Sequence, residues 1–530
     1  MADHPVHTQE SFIHSLLNSS DPSHPVSPSI IHTPESPSFT SVLQSHIRNL
    51  RFTTPKTPEP LLIITPTHVS HVRAAIIAAR KHHLHMKIRS GGHDYEGVSY
   101  VSHKAPFFLL DMQNLRSVEI DMATETAWVQ AGATLGEVYY KIAEKSKVHG
   151  FPAGVCPTVS VGGHLSGGGY GTMMRKYGLS VDNVVDAQIV DVRGRVLDRI
   201  TMGEDLFWAI RGGGAASFCV VVAYKINLVR IPENVVVFRV EKTLEEKGTD
   251  DVVYRWQEVA PKLDDDLFIR IFFDVVKSND QRENKTVRAS FVGFFLGDSE
   301  RLLNLVYESF PELGLKKSDC IFTSWVQSIF FWADLPIGTR DDYLLVRTPK
   351  KLVHFKRKSD YLKEPIPKSG LNWIFQRMIE LEFPMLALNP YGGRMARIPA
   401  NATPFPHRGN LAKIHYLVNW DEPGTEAANF YIGLLRRLYY YMTPFVAKNP
   451  RVSYLNYRDL DLGINGHDSK KTSYEKGREY GIKYFKDNFQ RLVEIKTRVD
   501  PGNFFRNEQS IPTLPMVEKT GGVHLLEARM

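Results

Sequence analysis

Two short stretches gather the residues that could do chemistry. "RSGGHDYEG", residues 89–97, sets His93, Asp94 and Tyr95 behind a glycine pair, directly after an apolar run. "CPTVSVGGHLSGGGYG", residues 156–171, strings Cys156 and His164 through a dense glycine tract. Adjacent glycines let consecutive backbone N–H groups converge on an anion, so a diphosphate suits the first loop. That loop lacks the Gly-Lys-Ser/Thr of a nucleotide phosphate loop and matches no clean dinucleotide fingerprint. The second stretch carries too many glycines for a helix or a central strand. It is no linker either, because Val159, Val161, Leu165 and Tyr170 want burial. Pro157 fixes the backbone beside Cys156 and so holds the sulfur in place. Each stretch alone also has a plain reading: an ordinary turn with a solvent-facing histidine, and a small buried thiol.

The flanking pattern shows what positions these loops. "LLIIT" at 61–65 reads as a buried strand, and "THVSHVRAAIIAARKHH" at 67–83 as an amphipathic helix opened by a Thr67 cap. "MKIRS" at 86–90 reads as a second strand. This βαβ unit delivers the first glycine loop to a strand end, where α/β sheets bind ligands. Short strands "PFFLLDM", "SVEIDM" and "TAWVQAGA" follow, then a helix, "TLGEVYYKIAEKS", then the glycine tract. A strand pair, "VVDAQIVDVRGRVLDR", turns at Arg193-Gly194. Over 226–452 the strands lengthen, as in "DLFIRIFFDVV" and "TVRASFVGFFLG", and alternate with helices such as "SERLLNLVYESF". That alternation predicts an antiparallel sheet covered by helices. Ahead of the βαβ unit, "TQESFIHSLLNSS" reads as a helix and the Pro/Ser-rich connector after it as an ordered surface excursion.

With 530 residues, 43% apolar and 23% charged, the chain can build two or more domains with ample core. The net charge is +7, but the basic residues are scattered, which argues against a nucleic-acid partner. No apolar run is long enough to predict a transmembrane helix. Cys156, Cys219 and Cys320 have no metal spacing, so no metal is expected. The first residues lack the charged start and apolar stretch of a signal peptide. Sequons at Asn18, Asn284 and Asn401 nonetheless suggest a glycoprotein of secretory, extracellular or vacuolar location, its signal segment lying outside this sequence. An intracellular protein is the alternative.

Together the two glycine stretches resemble the berberine bridge enzyme-like family of plant flavoproteins, within the vanillyl-alcohol-oxidase-type group. The resemblance spans 12–515 and includes "RKYGLSVDNVVDA", "DLFWAIRGGG", "NPYGGRM", "PFPHR", "NYRDLDLG" and "DPGNFFRNEQSIP". It implies an α+β fold: a PCMH-type (VAO-type) FAD-binding domain plus a substrate domain with an antiparallel sheet covered by helices. The FAD-binding part would occupy 1–225 (PCMH-type unit 55–230), the substrate domain 226–452, and 453–515 would return to the FAD domain. Residues 516–530 are expected to form a disordered tail.

The resemblance also implies that FAD is attached twice, through His93 at the 8α-methyl and through Cys156 at C6. Ser90, Gly91, Gly92 and His93 would hold the diphosphate with Asp94 beside them. Gly162, Gly163 and Gly168 would clear room for the ring, His164 would face its N1/C2 edge, and Tyr454 and Asn456 would line it. Val159 takes the family's oxygen-gate position, where a small side chain goes with oxidases, so O2 is the expected electron acceptor. Tyr457 of "NYRD" takes the position of the base, and Lys413 a matching position whose charge would help to ionise it. His415 lies two residues on, hence on the same strand face, where many alcohol-oxidising members carry glutamine. Tyr95, Tyr170 and Asn389 match further pocket positions, and Arg288 is expected to add a cation over the pocket. Ser15 and Ala78 stand where the family usually carries an N-terminal disulfide.

The expected function is an oxidase of a plant alcohol or a specialised phenolic, alkaloid or terpenoid-type metabolite. Hydride would pass to flavin N5, Tyr457 would take the proton, O2 would become H2O2, and oxidative cyclisation would follow in some cases. The protein is expected to be a monomer acting on a small molecule. The alternative is a redox-neutral, FAD-containing Diels–Alderase in which Lys413 and Arg288 polarise a dienophile carbonyl.

Overall fold

In the computed structural model, which describes residues 5–102, 106–278, 284–349, 351–465, 473–519 and 522–525, Val-, Ile- and Phe-rich runs draw the chain into three main sheets. The first orders its strands Ile31–His32, Ile63–Ile64, Phe107–Asp111, His85–Arg89. Phe107–Asp111 runs parallel to both neighbours, inserted between the two strands of the expected βαβ unit. The helix of that unit, Val69–Lys81, is capped by His68 rather than Thr67: His68 Nδ1 accepts from the Ser70 N–H at 3.3 Å. An imidazole lone pair does there what a hydroxyl would do one residue earlier. Its alanine face packs under Phe12 and Leu16 of the helix Pro5–Asn18. A 2.7 Å hydrogen bond between Ser15 Oγ and His82 Nε2 ties the two helices without a disulfide.

The second sheet is antiparallel, with order Val118–Asp121, Thr126–Gln130, Val220–Asn227, Val184–Val190, Val196–Leu197. The turn between its last two strands passes through Gly194 at φ 76°.

The third sheet has seven strands, all antiparallel. Its order is Cys320–Ser324, Asn234–Thr243, Lys285–Phe295, Leu267–Lys277, Met385–Pro390, Ala412–Trp420, His354–Leu362. Alternation splits its residues between two faces. One face buries Ile271, Phe291, Ile414 and Tyr416 beneath the helices Thr249–Val259, Lys368–Leu381 and Thr425–Tyr441. The other carries Arg270, Asn389, Lys413 and His415 toward the glycine loops. The segment after 452 folds back on the N-terminal half: Lys87 meets Glu508 at 2.5 Å, and Lys496 gives hydrogen bonds to the Ser217 carbonyl and to Asp500. Met516–Lys519 pairs with Gly522–Leu525 where the sequence suggests disorder, while 520, 521 and 526–530 lie outside the described residues.

Candidate active site

The two glycine stretches interlock. A Cβ on Gly91 would fall 2.8 Å from Ser160 N and Oγ, and one on Gly162 would fall 2.6 Å from Ser90 Oγ. Gly92 has φ 68° and its Cβ would strike the His46 carbonyl, so only glycine serves there. The tract does form a helix, Val161–Ser166, against the expectation from its composition. Val161 and Leu165 are buried and supply the anchorage that propensity lacks. Gly163, on the open side of that helix, is exposed and has no atom near its Cβ position.

Six side chains from distant parts of the chain gather beside these loops, none fully buried by area: His93, Tyr95, Cys156, His164, Tyr170 and Tyr457. Cys156 shows how closely the protein surrounds them. Its side chain is exposed by area, yet the surrounding protein is close enough that burial pushes the thiol up. Burial likewise lowers His93 to about 3 and His164 to about 4, so both rings are neutral at physiological pH. His164 Nε2 accepts from the Gly154 N–H at 3.2 Å, which leaves the ring proton on Nδ1 as a donor. Asn456 Nδ2 donates to the His164 carbonyl at 2.8 Å, and the Tyr454 hydroxyl accepts from the Gly169 N–H at 3.0 Å. A Cβ on Gly167 would overlap Asn456 Oδ1, so the tract and the C-terminal segment are in direct contact.

This donor set fits FAD. Among the described residues the N–H groups of Gly91, Gly92 and His93 meet no protein acceptor. Beneath them the buried Arg48 gives its guanidinium to the carbonyls of Gly91, Ser45 and Arg347 rather than to a carboxylate. Anion-seeking amides over a positive base suit a diphosphate. Asp94 is tied into the loop itself. Its Oδ1 accepts from Glu96 N and Val98 N at 3.0 Å, and its Oδ2 from Arg458 at 2.9 Å, so it shapes the loop. Val159 is half-buried beside Cys156, packed against the main core.

The sheet supplies the opposite wall. Asn389 lies opposite Lys413 in register, and Ala387 opposite His415. Arg270 Nε donates to Asn389 Oδ1 at 2.7 Å, completing a row of Arg270, Asn389 and Lys413 across three strands. Lys413 Nζ is buried without a hydrogen-bond partner, 3.1 Å from the ring centre of Tyr170, 4.2 Å from Tyr457 and 4.6 Å from Tyr454. His415 stacks on Tyr457 at 3.8 Å, and Tyr95 stacks on the other two rings more loosely, at 6.0 and 5.5 Å. The hydroxyls of Tyr170 and Tyr457 share a short hydrogen bond. Asn389 Nδ2 and His415 Nε2 are also buried without partners.

Thus Tyr95, Tyr170, Tyr457, Lys413, His415 and Asn389 come together as the sequence suggests, and Arg288 does not. Arg288 stands opposite Asp274 and is paired with it at 2.7 Å, and with Glu241. It lies on the same face as Arg270 but four residues along the ladder, or about 13 Å. Arg270 and Arg357 are the cations of this site. The signal for Arg270 was present as one charge in the apolar run "DLFIRIFF"; its register with Asn389 was not. Arg357 is lowered to about 10 by burial, its guanidinium bonded to the Lys356 and Val418 carbonyls and to Asn419.

The charges here are unbalanced. Among the described residues no carboxylate pairs with Lys413, Arg270 or Arg357. Burial, then Arg270, lowers Lys413 well below its usual value, and burial with the neighbouring tyrosines raises Tyr457 well above its own. Three aromatic faces are all that surround Nζ. Both shifts favour the neutral forms, an amine facing a phenol; a proton passed from Tyr457 to Lys413 would leave a phenolate held against an ammonium.

A buried ionic network fixes Tyr457 from behind. Asp459 takes Lys356 at 2.8 Å and also Lys358; Lys356 also meets Glu96, and Lys358 meets Asp461 at 2.8 Å. With Arg458 on Asp94, the "NYRDLDLG" segment is stapled to the glycine loop and to the strand His354–Leu362.

A family model for an FAD binding domain matches residues 60–199, and one for "Berberine and berberine like" proteins matches 453–512. Berberine bridge enzyme-like 8 of Arabidopsis thaliana is 59% identical over 509 residues, which cover 96% of this chain and 95% of that protein. The solved structure of BBE-like #28 from Arabidopsis thaliana superposes with a TM-score of 0.88 at 44% identity, covering 95% of this chain and 100% of that one. The grass pollen protein Phl p 4 is similar too. Its wild type, described as a glucose dehydrogenase, gives a TM-score of 0.89 at 41% identity, covering 95% of this chain and 99% of that one. An isoleucine-to-valine variant of it is described as a glucose oxidase and matches at 42% with the same TM-score and coverage.

Proposed function

Since the chain belongs to the berberine bridge enzyme-like family of FAD-linked oxidoreductases, we propose that it is an oxidase of a hydroxyl-bearing small molecule, an alcohol or a phenolic metabolite. FAD, when bound, supplies the acceptor for the substrate's hydride, and we assign His93 and Cys156 as its two covalent tethers. Tyr457 takes the substrate's hydroxyl proton, and Lys413 stabilises the phenolate that makes this possible. Tyr170 holds the Tyr457 hydroxyl through their shared hydrogen bond, and His415 fixes the ring plane by stacking. Arg270 and Asn389 orient the substrate's oxygen atoms. His164 offers Nδ1–H to the electron-rich edge of the cofactor.

The observation that carries the reading is the Lys413–Tyr457 pair: a buried lysine amine without a carboxylate, seated on the ring of the residue placed to take a proton. Arg270 and Arg357 beside the site also disfavour a cationic amine as substrate. The redox-neutral alternative has less support, because Arg288 is paired far along the sheet and burial pushes Lys413 toward its neutral form.

Val159 supports oxygen as electron acceptor, as does the valine variant of Phl p 4 described as a glucose oxidase. The test needs no substrate. Protein reduced anaerobically with dithionite is mixed with O2, and reoxidation is followed at the flavin band with H2O2 measured. Rapid reoxidation with one H2O2 per flavin, slowed in Val159→Ile, is expected. Sluggish reoxidation of the unaltered protein would make it a dehydrogenase.

A further inference from the structure

We propose that Thr158 is a positioning residue for cofactor attachment: it selects the His93 nitrogen that bonds to the flavin. The proposal rests on the reading of His93 as a tether.

His93 Nε2 lies 3.0 Å from Thr158 Oγ1, within hydrogen-bond distance, and this is the contact by which Thr158 acts on the ring. With Thr158 Oγ1 as the acceptor of that bond, the ring proton sits on Nε2, the nitrogen that faces Thr158. A neutral imidazole carries one N–H, and burial keeps His93 neutral. The lone pair is therefore on Nδ1, which no protein group engages among the described residues. Thr158 is itself buried, 9% exposed, and follows Cys156 by two positions in a turn closed by Val159 N–H to the Cys156 carbonyl at 3.3 Å. One turn thus carries the second tether and the partner that orients the first.

The chemistry requires that arrangement. Attachment joins His93 Nδ1 to the flavin 8α carbon and breaks one C–H bond of that methyl group. Positive charge develops on the imidazole as Nδ1 is alkylated, and the Nε2–H bond to Thr158 strengthens with it. The methyl C–H and the Nε2–H each give up a proton. The electron pair of the broken C–H bond reduces the ring, and O2 takes both electrons and two protons as H2O2.

The experiment uses the whole protein in a Cys156→Ala background, where only His93 can hold the flavin. Protein is precipitated with acid, and flavin is measured in the pellet by fluorescence on a denaturing gel and by the mass of the His93 peptide. Flavin bound before acid reports on the cofactor pocket. In Cys156→Ala the flavin should stay in the pellet. Adding Thr158→Val should move it to the supernatant, lowering acid-stable flavin about tenfold or more, the factor set by one charge-assisted hydrogen bond. Thr158→Ser should restore it. Acid-stable flavin unchanged by Thr158→Val would overturn the proposal and leave the tether standing, as would a Thr158→Ser variant no better than valine. Release of flavin from Cys156→Ala itself would refute the tether, and the proposal with it.

Discussion

Replacing Lys413 with methionine separates the charge of this side chain from its volume. Lys413 Nζ sits 4.2 Å from the Tyr457 ring centre. At an effective dielectric of about 20, one ammonium at that distance stabilises a phenolate by about 4 kcal/mol, or about three pKa units. If substrate oxidation needs ionised Tyr457, K413M should slow flavin reduction about 10³-fold near neutral pH. Its rate should climb toward that of the unaltered enzyme as pH rises, with the basic limb displaced upward by about three units. Stopped-flow reduction under anaerobic conditions, across pH, reads both quantities. Because Nζ has no hydrogen-bond partner to orphan, the thermal midpoint should hold or rise. A reduction rate unchanged in K413M, or one depressed equally at every pH, would refute the coupled-pair account.

Other expectations follow from the same packing. Asp459→Asn removes the carboxylate shared by Lys356 and Lys358 and should cost about 3–5 kcal/mol in denaturant unfolding; a change lost in experimental scatter would mean the network is not structural. His46 and His85 are buried and lowered to about 3 and about 4, chiefly by burial, against about 6.5 in the unfolded chain. The unfolded state binds protons that the native state refuses between pH 6.5 and 4, so stability falls as pH drops through that window, by up to about 1.4 kcal/mol per pH unit for each histidine. Urea midpoints at neutral and acid pH measure it, and a flat profile would contradict it. No two of the three cysteines form a disulfide, so a thiol reductant should leave the thermal midpoint where it was.

The chemistry-bearing loops were legible because their information is local. Glycine pairs, a histidine and a cysteine at fixed offsets define "RSGGHDYEG" and the 156–171 tract without reference to the rest of the chain. Strand alternation likewise placed Lys413 and His415 on one face. Register is a different matter: nothing in the sequence states that Asn389 stands opposite Lys413, and without that row the partner cation could be put at Arg288 as easily as at Arg270. The helix Val161–Ser166 escaped a propensity argument because buried Val161 and Leu165 overrule its glycines. The Lys356–Asp459–Lys358 network was hidden for the opposite reason, since charges read as surface until the fold buries them.

The measurement that tests the central claim most directly is anaerobic mixing of the yellow protein with hydroxyl-bearing substrates, glucose and phenolic alcohols first, while the flavin absorbance is followed. The account predicts that an accepted substrate bleaches the flavin in step with formation of its oxidised product, and that admitting O2 restores the colour. Product formed at full rate while the flavin stays yellow would contradict it, and would place the protein among redox-neutral catalysts.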